Sequence, residues 1–171
     1  MLDLWPHIEY IWKAHAQHPA QPGQEFRLWD KQTPYAIHPL WCALTLLTET
    51  TLSKEIRENG AQALLYHDVL EDTTQSLPAN ISKEVAALVA DMTFHGGFEQ
   101  EKKDIWQKSD MIKLLKLYDK TSNLLDHTWM SPEKYRDYLT FTKKLAKEVQ
   151  NTWQDLHIFR IIESLPKEQP K

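Results

Sequence analysis

Four residues able to do chemistry fall close together in ALLYHDVLEDT, residues 63 to 73: His67, Asp68, Glu71 and Asp72. On one continuous helix His67 would lie over Glu71, and Asp68 over Asp72. Carboxylates so crowded repel one another unless a positive centre sits among them, and that centre is most often a metal ion. Neutral imidazole nitrogen with hard carboxylate oxygen suits Mn²⁺, Fe²⁺ or Zn²⁺ better than Ca²⁺. Neighbouring helical residues point about 100° apart, so His67 and Asp68 can both reach an ion beside their helix. Two donors do not make a site, and the rest must come from other elements.

Two stretches offer them. TPYAIHP (33 to 39) places His38 at a helix start, beside a proline that fixes the local backbone. IKLLKLYDKTSNLLD (112 to 126) places Asp119 inside a Leu-rich helix, where a buried carboxylate needs a partner. Asn123 follows Asp119 by one turn, on the same face. Each residue alone has a plainer reading. His38 could be a helix-start residue under Trp41, His67–Asp68 a surface pair, Asp119 an ion-pair partner of Lys116 or Lys120, and Glu71–Asp72 a solvated helix end. The last is disfavoured, because acids late in a helix oppose its dipole.

The elements that must position these groups are helical. Apolar spacing predicts a helix over 3–16 with Leu4, Ile8, Ile11, Trp12 and His15 on one side. Residues 18–34, with three Pro and a Gly, read as a loop. A second helix runs from Pro39 to about Glu49. Ser53 caps a third, whose later half carries the HD stretch. Further helices are expected over 82–94 and 110–126, and a final long one over about 132–164. HGGFEQEKKDIWQK, residues 95 to 108, reads as a mobile connection able to act as a lid. No strand pair or repeat stands out, so the expectation is an all-α protein, one domain over 1–171.

Composition bounds the function. At 42% hydrophobic residues with seven Trp, a thickly packed interior is expected. The net charge of −4 argues against nucleic acid as a partner while leaving room for a local pocket for one phosphate. Cys42 is the only cysteine and can form no internal disulfide, which points to the cytoplasm. The N-terminal residues lack the charge pattern of a signal peptide. No apolar run approaches the roughly 18 residues of a membrane span, so no membrane role is expected. The aromatic stripe of the last helix reads as core or subunit interface, which leaves a homo-oligomer open.

A His, a distant His-Asp pair and a distant Asp, in this order, resemble the ligand series of the HD phosphohydrolase superfamily. PYxxHP, LLxHDxxEDT and KLxDxxxN are closer still to the hydrolase domain of RelA/SpoT-type enzymes and small alarmone hydrolases. The resemblance spans about residues 27 to 126. It implies a helical HD bundle and His38, His67, Asp68 and Asp119 as ligands of Mn²⁺, with Fe²⁺ or Zn²⁺ as alternatives. It also implies Glu71 and Asp72 as the pair that orients or deprotonates the attacking water, Asn123 lining the nucleotide pocket, and Arg27 stacking on the base. The implied reaction removes the 3′-pyrophosphate of a (p)ppGpp-like nucleotide. The chain departs from the family pattern at Leu28 and Trp29, where Lys usually follows the Arg, at Tyr118, and at Leu125 in place of Arg. Two phosphate-holding charges are missing, with Lys113, Lys116, Lys120 or Arg136 as substitutes. These departures keep two alternatives open: an HD phosphatase for another nucleotide, such as the NADPH 2′-phosphate or a nucleoside monophosphate, and a non-catalytic nucleotide sensor.

Overall fold

Four serines set where helices begin. Ser53, Ser82, Ser109 and Ser131 each accept the backbone N–H three residues on, at 3.1 to 3.3 Å. Each such cap stabilises its helix by about 1 kcal/mol. In the computed structural model, which describes residues 3–169, the helices are α1 Trp5–Gln17, α2 Ile37–Leu47, α3 Lys54–Tyr66, α4 Val69–Asp72, α5 Lys83–Met92, α6 Gly97–Asp104, α7 Asp110–Leu125, α8 Pro132–Gln150 and α9 His157–Ser164. Short 3₁₀ turns cover Ile105–Gln107 and His127–Trp129. Among the described residues there is no strand, only two isolated bridges, and no helix is long and apolar enough to cross a membrane.

The core forms where α2, α3 and α7 meet, through Cys42, Ala43 and Leu46, then Ala61, Leu64 and Leu65, then Leu114, Leu115 and Leu117. Gly60 allows that close approach: a Cβ there would stand 2.7 Å from Leu46 Cδ2 and 3.0 Å from Leu115 Cδ2. A second apolar cluster joins the end of α7 to α8 through Leu124, Tyr135, Tyr138 and Leu139. None of the seven Trp is fully buried, and Trp5, Trp12 and Trp29 are exposed. Aliphatic residues and tyrosines fill the core, and Trp41, Trp106 and Trp153 pack half-buried against it.

Three element boundaries differ from the sequence reading. The HD stretch is not one helix. His67 and Asp68 form a turn between α3 and α4, because the Leu64 carbonyl, which a continuing helix would give to the next turn, accepts His67 Nδ1 at 2.7 Å. Residues 97–107 are helical rather than a loose connection. The only buried residue of α6 is Glu101, so no apolar stripe announces the helix. The expected helix over 132–164 is two, α8 and α9. Glu49, just after α2, accepts the N–H groups of His157 at 2.8 Å and Ile158 at 3.0 Å, capping α9 from across the fold. Tyr118 donates to the same carboxylate at 2.7 Å, which explains its bulk and turns it away from the HD residues.

The loop over 18–36 is tied down at both ends. Ala20 N–H donates to the Asp72 carbonyl and Thr74 N–H to the His18 carbonyl, both at 2.8 Å. Arg27 N–H donates to Thr33 at 2.8 Å and Tyr35 N–H to Glu25 at 2.9 Å. These bonds set Arg27 and Tyr35 beside the HD turn.

Candidate metal centre

His38 comes from the first turn of α2, His67 and Asp68 from the turn between α3 and α4, and Asp119 from the middle of α7. His38, His67 and Asp68 each offer a donor atom within 4.8 Å of the others, and all three are buried. The two imidazoles face each other, Nε2 to Nε2, at 3.3 Å. Asp68 reaches His67 Nε2 at 3.1 Å and His38 Nε2 at 3.5 Å. Asp119 Oδ1 lies 3.4 Å from His38 Nε2 and 3.8 Å from His67 Nε2. Asp119 thus adjoins the group of three, and Asn123 Nδ2 donates to its Oδ1 at 2.7 Å.

The donor chemistry fits a divalent cation. A carbonyl only accepts, so the bond to Leu64 puts a proton on His67 Nδ1 and leaves Nε2 a lone pair in the neutral ring. Ser122 Oγ holds His38 Nδ1 at 2.8 Å. Two nitrogen lone pairs at 3.3 Å beside two carboxylates repel, unless a proton or a metal ion lies between them. Burial opposes charge on His67, but Asp68 and Asp119 carry its pKa up to about 9. His38 is lowered, first by burial and then by Arg27.

Two further acids stand beside this group. The Glu71 side chain accepts Phe94 N–H at 3.1 Å, and Asp72 accepts the Tyr35 hydroxyl at 2.6 Å. Tyr35 also contacts Asp68 at 2.8 Å, so one hydroxyl links Asp68 to Asp72. Burial, then the Asp68 charge, raises Glu71 to about 7 and Asp72 to about 6. Glu71 is solvent-exposed over much of its surface, and water there screens part of the effect. His15 stacks on Tyr35 with ring centroids 4.6 Å apart, and neither of its ring nitrogens has a partner.

The structure also sorts the candidate cations. Lys116 and Lys120 are buried against Asp119 Oδ2, at 2.7 and 3.3 Å. Burial opposes ionisation of Asp119, but the two ammonium groups hold it well below the usual carboxylate range. The plain ion-pair reading of Asp119 therefore holds together with its place beside the imidazoles, one oxygen for each. Lys113 pairs with Glu148 at 3.0 Å, and Arg136 is exposed beside Glu133. Arg27 is buried, not a surface charge: it donates to Asp126 at 2.7 Å and to Asn123 at 2.8 Å, with its guanidinium 5.1 Å from the Tyr35 ring centre. Tyr35, Glu101, Ser122 and Asp126 also contact these groups, beyond the residues that the sequence singles out. Only Tyr35 had a sequence signal, its place in PYAIHP.

Two cavities flank the imidazoles. A polar one of about 170 Å³ is lined by Asp68, Glu71, Asp72, Asp119 and the two lysines, among others. An apolar one of about 420 Å³ has Trp29, Ile37, Trp41 and Leu125 in its wall and meets the site at His38 and Arg27.

No family model matches the chain, and no curated protein matches it. Among solved structures it is similar to a metazoan ortholog of SpoT that hydrolyzes ppGpp and plays a role in starvation responses. The identity is 23%, the TM-score 0.69, and the match covers 94% of this chain and 91% of that one. The chain has the all-helical fold of that protein.

Proposed function

We propose that the chain is a metal-dependent phosphohydrolase that removes the 3′-pyrophosphate from a (p)ppGpp-like nucleotide in the cytoplasm. The carrying observation is the group of His38, His67 and Asp68, with Asp119 beside it and two acids of raised pKa next to it. His38, His67, Asp68 and Asp119 would hold the ion, and two imidazoles with two carboxylates suit Mn²⁺. A divalent ion supplies charge for phosphoryl oxygens and acidifies a water.

The chain's own residues do the rest. Glu71 and Asp72 hold carboxylates whose proton affinity lies near neutrality, the range in which proton transfer is efficient. Tyr35 keeps Asp72 aligned with Asp68. Asn123 fixes Asp119 and Arg27 together, and Arg27 offers a guanidinium plane at the edge of the apolar cavity for a base to lie on. The test is release of pyrophosphate from ppGpp by Mn²⁺-loaded protein, with Asp68→Ala as control. Absence of release over a nucleotide panel overturns the reading.

One observation favours a second substrate. Arg27 and Asp126, the charged groups at the apolar cavity, are bonded to each other, and the wall opposite is Trp29, Ile37, Trp41 and Leu125. Such a wall stacks on any purine and does not select the guanine edge. ppApp and NADPH therefore belong beside ppGpp in the assay; phosphate from NADPH alone would assign the site to the 2′-phosphatase reaction.

A further inference from the structure

α6 is an eight-residue helix whose single buried residue is an acid. Glu101 is 3% exposed, and one of its oxygens, Oε2, contacts both Lys116 at 3.3 Å and Lys120 at 2.8 Å. Its other oxygen, Oε1, is buried without a hydrogen-bond partner. On α7, Lys116, Asp119, Lys120 and Asn123 follow the i, i+3, i+4, i+7 rule and form one stripe facing the polar cavity. Two ammonium groups are therefore held between single oxygens of two carboxylates, Asp119 on the side of the imidazoles and Glu101 on the far side.

Stability alone does not account for this arrangement. A buried ion pair costs about as much in desolvation as it returns, and apolar residues of similar size usually do as well. Paired ammonium groups beside an open polar cavity are instead what a phosphate chain needs. We infer that Lys116 and Lys120 form an oxyanion subsite for the phosphate chain of the substrate, and that Glu101 is a resident counter-ion occupying that subsite until phosphate oxygens take its place. The inference rests on the phosphohydrolase reading for the identity of the ligand. Glu101 neutralises the lysines in the empty site and competes with the anion for them.

Calorimetric titration of inorganic pyrophosphate into the full chain, with Mn²⁺ content measured and equal in every variant, tests this, because Lys120 also contacts Asp119. Glu101→Gln should tighten pyrophosphate binding by about tenfold, since it removes a competing charge and keeps the shape. Lys120→Met should weaken it by about tenfold or more, Lys120→Arg should keep it close to the parent, and Lys113→Met, on the Glu148 side, should leave it unchanged. Unchanged or weaker binding in Glu101→Gln overturns the counter-ion role, and equal binding in Lys120→Met and Lys120→Arg overturns the subsite. If Glu101→Gln does not fold, the two Lys120 variants decide. The two readings fail separately. Turnover of ppGpp with flat pyrophosphate ratios removes the subsite alone; the expected ratios, repeated in EDTA, with no turnover of any nucleotide remove the hydrolase reading alone.

Discussion

The polar and apolar cavities lie on either side of Arg27, Tyr35, His38 and the later half of α7, yet they obey different rules. On the polar side every group is held by another: Asp68 by Tyr35, Asp119 by Lys116 and Asn123, Glu71 by the Phe94 N–H, Lys120 by Glu101. On the apolar side Trp29, Ile37 and Leu125 are exposed and Trp41 half-buried. Chemistry demands fixed donors and matched proton affinities, and these tolerate no slack. Recognition of a flat base needs only area, which many side chains supply. Changes on the polar side should therefore abolish turnover, and changes on the apolar side should move affinity between substrates.

The largest effect is expected from Asp68→Ala. It removes a donor shared by both imidazoles and the partner of Tyr35. Bound manganese, measured by elemental analysis, should fall below half-stoichiometric, and turnover should drop by about 10³-fold or more. A variant that kept both metal and turnover would remove Asp68 from the site.

Glu71→Gln should separate proton transfer from metal binding. Its carboxylate contacts Phe94 N–H and no imidazole, so manganese content should stay at the parent level. Turnover should fall by about 10²-fold or more, with KM nearly unchanged. Parent-like turnover would assign the proton to Asp72 alone. Intact nucleotide binding in Glu71→Gln and Asp72→Asn, together with no turnover in the parent, would favour a sensor.

His15 ties the polar side to stability. Burial first, then His67, His38 and Arg27, lower its pKa to about 4, although Asp68 acts in the opposite sense. The unfolded chain takes up this proton below about pH 6.5, and the native chain holds it off until about pH 4. The native state binds fewer protons in that window, so stability falls as pH drops from 6.5 to 4 and changes no further below. This group alone should cost about 3 kcal/mol across the window. Denaturant unfolding of the parent and of His15→Phe, which keeps the stack on Tyr35, should show the loss shrinking by that amount in the variant. Equal slopes in the two proteins would mean that His15 is not held neutral.

What the sequence could announce follows the same division. His38, His67, Asp68 and Asp119 were legible as candidates because each sits in a short motif of its own, and Ser53 announced its helix by an equally local signal. Glu101, Asp126 and Glu49 were not, because each acts on a partner far along the chain: Glu101 on α7, Asp126 on Arg27, Glu49 on α9. A carboxylate in a polar stretch carries no mark of the lysine it will meet. The break after Tyr66 was hidden too, since a side chain taking a carbonyl from the backbone ladder leaves no trace in hydrophobic periodicity.

The smallest effect, and the most informative about substrate, should come from the apolar wall. Trp41 is half-buried beside His38, in position to present its ring to a base while the phosphates lie toward the imidazoles. Loss of one base–aromatic contact costs about 1–3 kcal/mol. Trp41→Ala should raise KM by about tenfold at nearly constant kcat, because the contact is the same in ground and transition states. The ratio between ppGpp and ppApp should change little, since a ring face does not distinguish their edges. A Trp41→Ala chain that lost one purine and kept the other would show that this wall reads the base edge, and a fall in kcat instead of a rise in KM would show that the two cavities are coupled through His38.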